Sequence, residues 1–102
     1  VIRDRKYLDW LRSQPCIVTG LFGTENDAID PSHIGTAGKG LKSSDDEALP
    51  LCHSIHSKCH SLGEMSVLRE MLPNAILREA LRALARENYQ KYLQENQKGL
   101  MQ

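Results

Sequence analysis

Aromatic residues are scarce in this chain. Only 5% of its 102 residues are Phe, Trp or Tyr, against a hydrophobic content of 40%. The sequence therefore predicts a small core built mainly from aliphatic side chains. An excess of one charge is missing as well. Thirteen basic and thirteen acidic side chains cancel, which argues against non-specific coating of nucleic acid and leaves room for a local basic patch. Cysteine is sparse and odd in number, three in all, so a closed disulfide framework is not expected. No apolar run is long enough to span a bilayer. The charged stretch Val1-Ile2-Arg3-Asp4-Arg5-Lys6-Tyr7 lacks the apolar core of a signal peptide. Repeats and low-complexity segments are absent. The expectation is one domain over residues 1–102 with no membrane partner. A cytoplasmic, reducing compartment is expected too, with cysteines as metal ligands or buried thiols.

What is present is a mixed α+β pattern. Tyr7, Leu8, Trp10 and Leu11 recur at helical spacing over residues 3–13, Pro15 ends that helix, and Trp10 reads as a core anchor. Cys16-Ile17-Val18-Thr19 is a short β-prone run closed by Gly20, and Ala28-Ile29-Asp30 is a second, with Pro31 at an edge or a strand end. These two runs predict a small hairpin. Residues 35–47 lack any apolar period and read as a loop. Pro50 leads into a helix from about Cys52 to Leu62, stopped by Gly63. Met65 to Leu72 offers a further turn or two. Pro73 then opens a long helix over about 74–96, with Leu77, Leu81, Leu84, Ala85 and Tyr92 as its apolar stripe.

The chemistry is concentrated between Asp30 and His60. All four histidines lie there, with two of the three cysteines. Residues four apart on a helix share a face, so His56 and His60 present two imidazoles at a spacing suited to one metal ion. His33 follows a β-prone segment and precedes a glycine-rich loop, Gly35-Thr36-Ala37-Gly38-Lys39-Gly40. Asp30, three residues before His33, is a hard oxygen ligand or an orienting partner for an imidazole. Cys16 and Cys52 each stand at the entrance to an element flanking this region.

A hairpin, a loop and a helix bearing His-x-x-x-His resembles the ββα-metal fold of HNH endonucleases. The run Asp30-Pro31-Ser32-His33-Ile34, the glycine-rich loop, and Leu49-Pro50-Leu51-Cys52 followed by His56 and His60 are similar to small phage and prophage HNH proteins. Those include the RecA-dependent recombination-enhancement nucleases. The resemblance covers about residues 15–64, the HNH-like core, and leaves residues 65–98 as a C-terminal helical extension. It implies His33 as general base and His56 and His60 as ligands of a divalent ion, whether Mg²⁺, Mn²⁺, Ni²⁺ or Zn²⁺. It further implies DNA as the substrate, a recombinase filament as a further partner, and products ending in a 5′ phosphate and a 3′ hydroxyl.

This sequence departs from the family in three places. Ser32 stands where many relatives carry a metal-binding His or Asp, which makes Asp30 the substitute third ligand. The family's central Asn has no counterpart, and the nearest residues, Asp45, Asp46 and Glu47, are all acidic. Relatives often hold a zinc between two knuckles, and here half of each is missing. Cys16 and Cys52 then remain as neighbouring buried thiols, or form a rearranged zinc site with His53 or His56.

Lys39 and Lys42, in and just after the glycine-rich loop, are candidates for DNA-backbone contact. The loop lacks the Gly-Lys-Ser/Thr ending of a nucleotide-binding loop, which excludes that class. Arg78, Arg82 and Arg86 recur every four residues, but Glu79 and Glu87 intersperse with them and predict a salt-bridged face. Three functions remain open: a metal-dependent nuclease, a non-catalytic zinc-stabilised module that binds nucleic acid or protein, and a degenerate nuclease fold that serves a partner protein. The oligomeric state is open.

Overall fold

The computed structural model describes residues 2–34, 44–72 and 78–101. The elements in chain order are α1 (Arg5–Arg12), β1 (Ile29–His33), a short 3₁₀ turn (Asp45–Glu47), β2 (Ala48–Cys52), α2 (His53–Leu62), α3 (Glu64–Met71) and α4 (Arg78–Met101). The architecture is α+β, with one two-stranded antiparallel sheet. Among the described residues no helix is long and apolar enough to cross a membrane.

The hairpin is not the one expected. Cys16–Thr19 forms a turn, not a strand: Cys16 N–H donates to Leu21 O at 2.9 Å, and Gly20 N–H donates to Cys16 O at 2.8 Å. Gly20 closes the turn with φ of 73°, a conformation that glycine adopts without steric cost. The partner of β1 is β2, in the register Ile29↔Cys52, Pro31↔Pro50 and His33↔Ala48. Ala48–Cys52 is buried at every position, as its unbroken apolar run allows for a strand covered on both faces. Pro31 and Pro50 face each other across the sheet. A two-stranded sheet has only edges, so neither proline interrupts an inner ladder.

Two clusters make the core. The first is aliphatic and includes Ile29, Ile34, Leu49, Leu51, Ile55, Val67, Leu68 and Leu81. The second gathers four of the five aromatic residues: Tyr7, Tyr89 and Tyr92, with Trp10 packed against them beside Leu11 and Ala48. Tyr7 meets Tyr89 edge-on with ring centroids 4.8 Å apart and stacks on Trp10 at 5.9 Å. Scarce aromatics thus fasten α1 to α4, where each contact adds to simple area burial. The Tyr7 hydroxyl donates to Ala48 O at 3.1 Å, tying α1 to β2 as well. Burial pushes that phenol above its ordinary pKa.

The helix caps follow elementary rules. The Asp4 carboxylate accepts from Tyr7 N–H at 3.1 Å and caps α1. At the start of α2, the Asp27 carboxylate takes the backbone N–H of Ser54 at 2.9 Å and its hydroxyl at 2.8 Å. Gly63, with φ of 98°, ends α2 where the sequence placed the stop. Helix α3, with 8 residues, is about the two turns expected there. Pro73 and Leu77, expected at the start of the long helix, lie outside the described residues. Within α4, Leu81, Ala85 and Tyr92 are buried and Leu84 is 38% exposed.

Candidate functional site

Strand β1 carries two polar groups that lead in different directions. Side chains alternate along a strand, so Asp30 and His33 leave it on opposite faces, about 10 Å apart along its axis. Asp30 turns to α2. His33 turns to the 3₁₀ turn and the cap of α1. These are two stations joined by one short strand.

The α2 station is a chain of four side chains. Asp30 Oδ2 accepts from His53 Nδ1 at 2.7 Å and from His56 Nδ1 at 3.0 Å. His56 Nε2 in turn lies 3.1 Å from His60 Nε2, with ring centroids 4.6 Å apart. Burial pushes the Asp30 carboxyl up, but the bonds and charges of His56 and His53 outweigh it and hold it below the usual carboxylate value. An ionised Asp30 favours the proton on His56 Nδ1 and turns Nε2 towards His60.

The two Nε2 atoms fit a shared ion. Imidazole nitrogens about 2.1 Å from one metal stand about 3.0–3.4 Å apart at octahedral to tetrahedral angles, which brackets the observed spacing. The donor set is a pair and not a cage: among the described residues no group of three or more His, Cys, Asp or Glu side chains is arranged to hold a metal ion. Asp30, expected as a third ligand, sits at Nδ1 of His56, away from Nε2. Its place suits an orienting partner. Replacing Asp30 by Ala is expected to weaken Ni²⁺ or Zn²⁺ binding by about 10–100-fold, with Asp30→Asn retaining part of the affinity. Chelator competition with a circular-dichroism control on folding checks this, and an unchanged affinity would remove the orienting role.

The His33 station is a charged hydrogen bond in a half-dry setting. His33 Nε2 meets Asp45 Oδ1 at 2.9 Å. Asp45 Oδ2 also accepts from Asp4 N–H at 2.7 Å, and Arg3 approaches Oδ1 at 3.6 Å. The Asp45 side chain is 8% exposed and that of His33 is 33% exposed. Burial pushes the Asp45 carboxyl up. The bonds from His33 and Asp4, with the charges of His33 and Arg3, prevail and hold it below its ordinary value. With Nε2 committed to Asp45, Nδ1 is the ring atom left to accept a proton. Asp45 therefore takes the place next to His33 for which the sequence offered three acidic candidates. Of the others, Glu47 pairs with Arg82 at 3.0 Å and with Arg86 at 3.9 Å, so these two arginines reach across to the 3₁₀ turn, whereas the sequence suggests pairing within the helix with Glu79 and Glu87.

Cys16 and Cys52 meet as buried thiols, Sγ to Sγ 3.7 Å. Neither histidine proposed to join them in a zinc site does so, because His53 and His56 both turn Nδ1 to Asp30. Ser32 is 3% exposed. Lys39, Lys42 and the glycine-rich loop lie outside the described residues. The clamp of Asp27 on α2 and the bracing of Asp30 by His53 were not foreseen. His53 alternates with the buried Ile55 and Cys59 on a short helix, and that pattern alone does not reveal which exposed histidine finds a carboxylate.

A family model described as "Protein of unknown function (DUF968)" matches residues 1–65. The chain belongs to this family. The matched stretch runs from α1 through α2 and so takes in both stations, whereas α4 lies beyond it. "Uncharacterized protein YdfU" of Escherichia coli (strain K12) is 37% identical over 59 residues, which is 55% of this chain and 16% of that protein. The chain thus corresponds to a small part of a longer relative. No solved structure matches it.

Proposed function

We propose that this chain is a metal-dependent endonuclease of the ββα-metal kind, hydrolysing DNA phosphodiester bonds. The observation that carries the reading is the imidazole pair. A hairpin runs without a break into a helix whose His56 and His60 Nε2 atoms stand 3.1 Å apart, with Asp30 favouring the proton on His56 Nδ1. Two ligands leave most of the coordination sphere to water and phosphate, as a catalytic site requires and a closed structural site does not. A divalent ion held there supplies charge neutralisation to a phosphodiester. His33, whose ring Asp45 holds with Nδ1 left to accept a proton, is assigned as the base, and the phosphodiester has to reach across β1 from the imidazole pair to meet it. Lys39 and Lys42 supply contacts to the DNA backbone. A cytoplasmic role in prophage DNA recombination, beside a recombinase filament, extends the same reading.

A second reading rests on the geometry of β1. His33 and Asp30 leave the strand on opposite faces, and Asp45 also binds Asp4 and Arg3. In a non-catalytic binding module, His33–Asp45 is simply a structural bond. Nicking of supercoiled plasmid by the purified protein, with Mg²⁺, Mn²⁺, Ni²⁺ or Zn²⁺ and with a chelator control, separates the two. Metal-dependent nicking that disappears in His56→Ala is the expected result. A folded wild type that binds DNA and leaves it intact under every ion, on single and double strands, favours the binding module.

A further inference from the structure

The thiol pair at the base of the hairpin has no part in either station. Cys16 lies in the turn before Gly20, and Cys52 is the last residue of β2 and the residue that precedes α2. Their sulfurs are 3.7 Å apart although 36 positions separate them in sequence. Cys52 N–H also donates to Cys16 Sγ at 3.4 Å, which fixes one sulfur against the other's backbone. A second, independent feature concerns access. A cavity of about 210 Å³ opens over Cys52, lined by Thr19, Leu21, Phe22, Thr24, Asp27 and Cys52 itself. That volume is several times the roughly 30 Å³ share of one water. Leu21 and Phe22 at its rim are about two-thirds exposed, at 68% and 67%. A buried pair with an entrance is an unusual use of two cysteines in a core.

We propose that Cys16 and Cys52 are an oxidation site, closing to an intramolecular disulfide when hydrogen peroxide enters through this cavity. Cys52 is the cysteine that lines the cavity, so it meets the peroxide first. Its deprotonated sulfur attacks one peroxide oxygen, the O–O bond breaks, and Cys52 becomes a sulfenic acid as hydroxide leaves. Cys16 then attacks the Cys52 sulfur, the S–O bond breaks, and a second hydroxide leaves as the S–S bond forms. The two thiol protons convert both hydroxides to water. Two thiols thus lose two electrons and the peroxide gains them.

The cavity, not acidity, gives Cys52 the first step, since burial holds its thiol above its ordinary value; the surroundings of Cys16 suit the second. Burial pushes the Cys16 thiol up, but donors from Thr19, Cys52 and Val18 prevail and hold it below its ordinary value, so Cys16 is the readier resolving nucleophile. Burial pushes Cys52 and Cys59 up. Cys59, buried in α2, has no thiol neighbour among the described residues and serves as an internal control.

The product would pin the Cys16–Gly20 turn to the start of the helix that carries His53, His56 and His60. The test is titration of the full chain with hydrogen peroxide, followed by alkylation and peptide mapping under non-reducing conditions. The expected result is loss of two of the three alkylatable thiols, a linked Cys16–Cys52 peptide, no shift to dimer, and full reversal by a dithiol reductant. In Cys16→Ser, a sulfenic-acid trap should label Cys52. Oxidation that stops at sulfenic or sulfinic acid without a linked peptide would overturn the proposal. So would linkage through Cys59 or between chains.

Discussion

Replacing His33 by Ala is expected to lower metal-dependent nicking by about 10²–10⁴-fold, the usual range for loss of a general base. The loss should fall on kcat, because His33 does not bear on the imidazole pair proposed to hold the ion, and the affinity for Ni²⁺ or Zn²⁺ should stay unchanged. His56→Ala should do the opposite to the ion, abolishing its binding and, with it, the nicking. The two variants therefore test two stations, not one. The ring's other partner sharpens the assignment. Asp45→Asn keeps an oxygen 2.9 Å from His33 Nε2 but removes the charge that fixes the proton there, so nicking should fall less than in His33→Ala. In the double variant the two losses should not add, because both act through one ring. A His33→Ala protein that nicks at the wild-type rate and melts at a lower temperature would make His33 a structural residue and end its role as base.

The legibility of this site in the sequence was uneven for physical reasons. Helix α2 was readable from local rules: Pro50 leading into it, His56 and His60 four apart, and Gly63 at the stop. The class of partner for His33 was readable too, since only acidic residues stand where the HNH proteins that the sequence resembles place an Asn. Which of Asp45, Asp46 and Glu47 it would be was not. That choice depends on Asp4 and Arg3, some forty positions away, which draw Asp45 inwards while Arg82 and Arg86 draw Glu47 the other way. The hairpin was misplaced for a related reason. Cys16–Thr19 and Ala48–Cys52 are both short apolar runs, and periodicity cannot rank two such candidates for one partner strand. What decides is non-local. Ile17 N–H donates to Pro50 O at 2.9 Å, so the first run lies against β2 as a turn without joining the ladder. The aromatic cluster escaped notice because Tyr7 and Tyr89 are more than eighty positions apart. Composition correctly forecast an aliphatic core around the hairpin but could not show that the few aromatics would gather.

Removing the Asp45 carboxylate should be among the most destabilising single changes in the chain. It accepts from the Asp4 backbone and from His33 and lies near Arg3, and Asp4 itself caps α1 and accepts from the Tyr89 hydroxyl at 3.0 Å. Asp45→Ala thus strands a backbone donor and loosens the junction of α1, α4 and the 3₁₀ turn. Hydrogen bonds to a charged group are worth about 1.5–3 kcal/mol each in favourable cases. Since His33 and Arg3 are partly solvated, a total of about 3 kcal/mol is expected. For a domain of this size that is a fall in Tm of roughly 12–24 °C. The pH dependence gives a second readout with a definite sign. The folded Asp45 carboxyl lies below its unfolded value of about 3.9, so in the window between them the unfolded chain binds more protons and stability rises with pH. The contribution is complete above the unfolded value and is lost as pH falls through the folded one. Asp45→Asn should therefore flatten the acid limb of the stability curve. It should not abolish it, because Asp30 and Asp27 are also held below their ordinary values. Denaturant unfolding at a series of pH values from neutral into the acid range measures both effects. A variant with an unchanged Tm and an unchanged acid limb would mean that the Asp45 carboxylate gains nothing from its partners, and with it would go the electrostatic anchor assigned to His33.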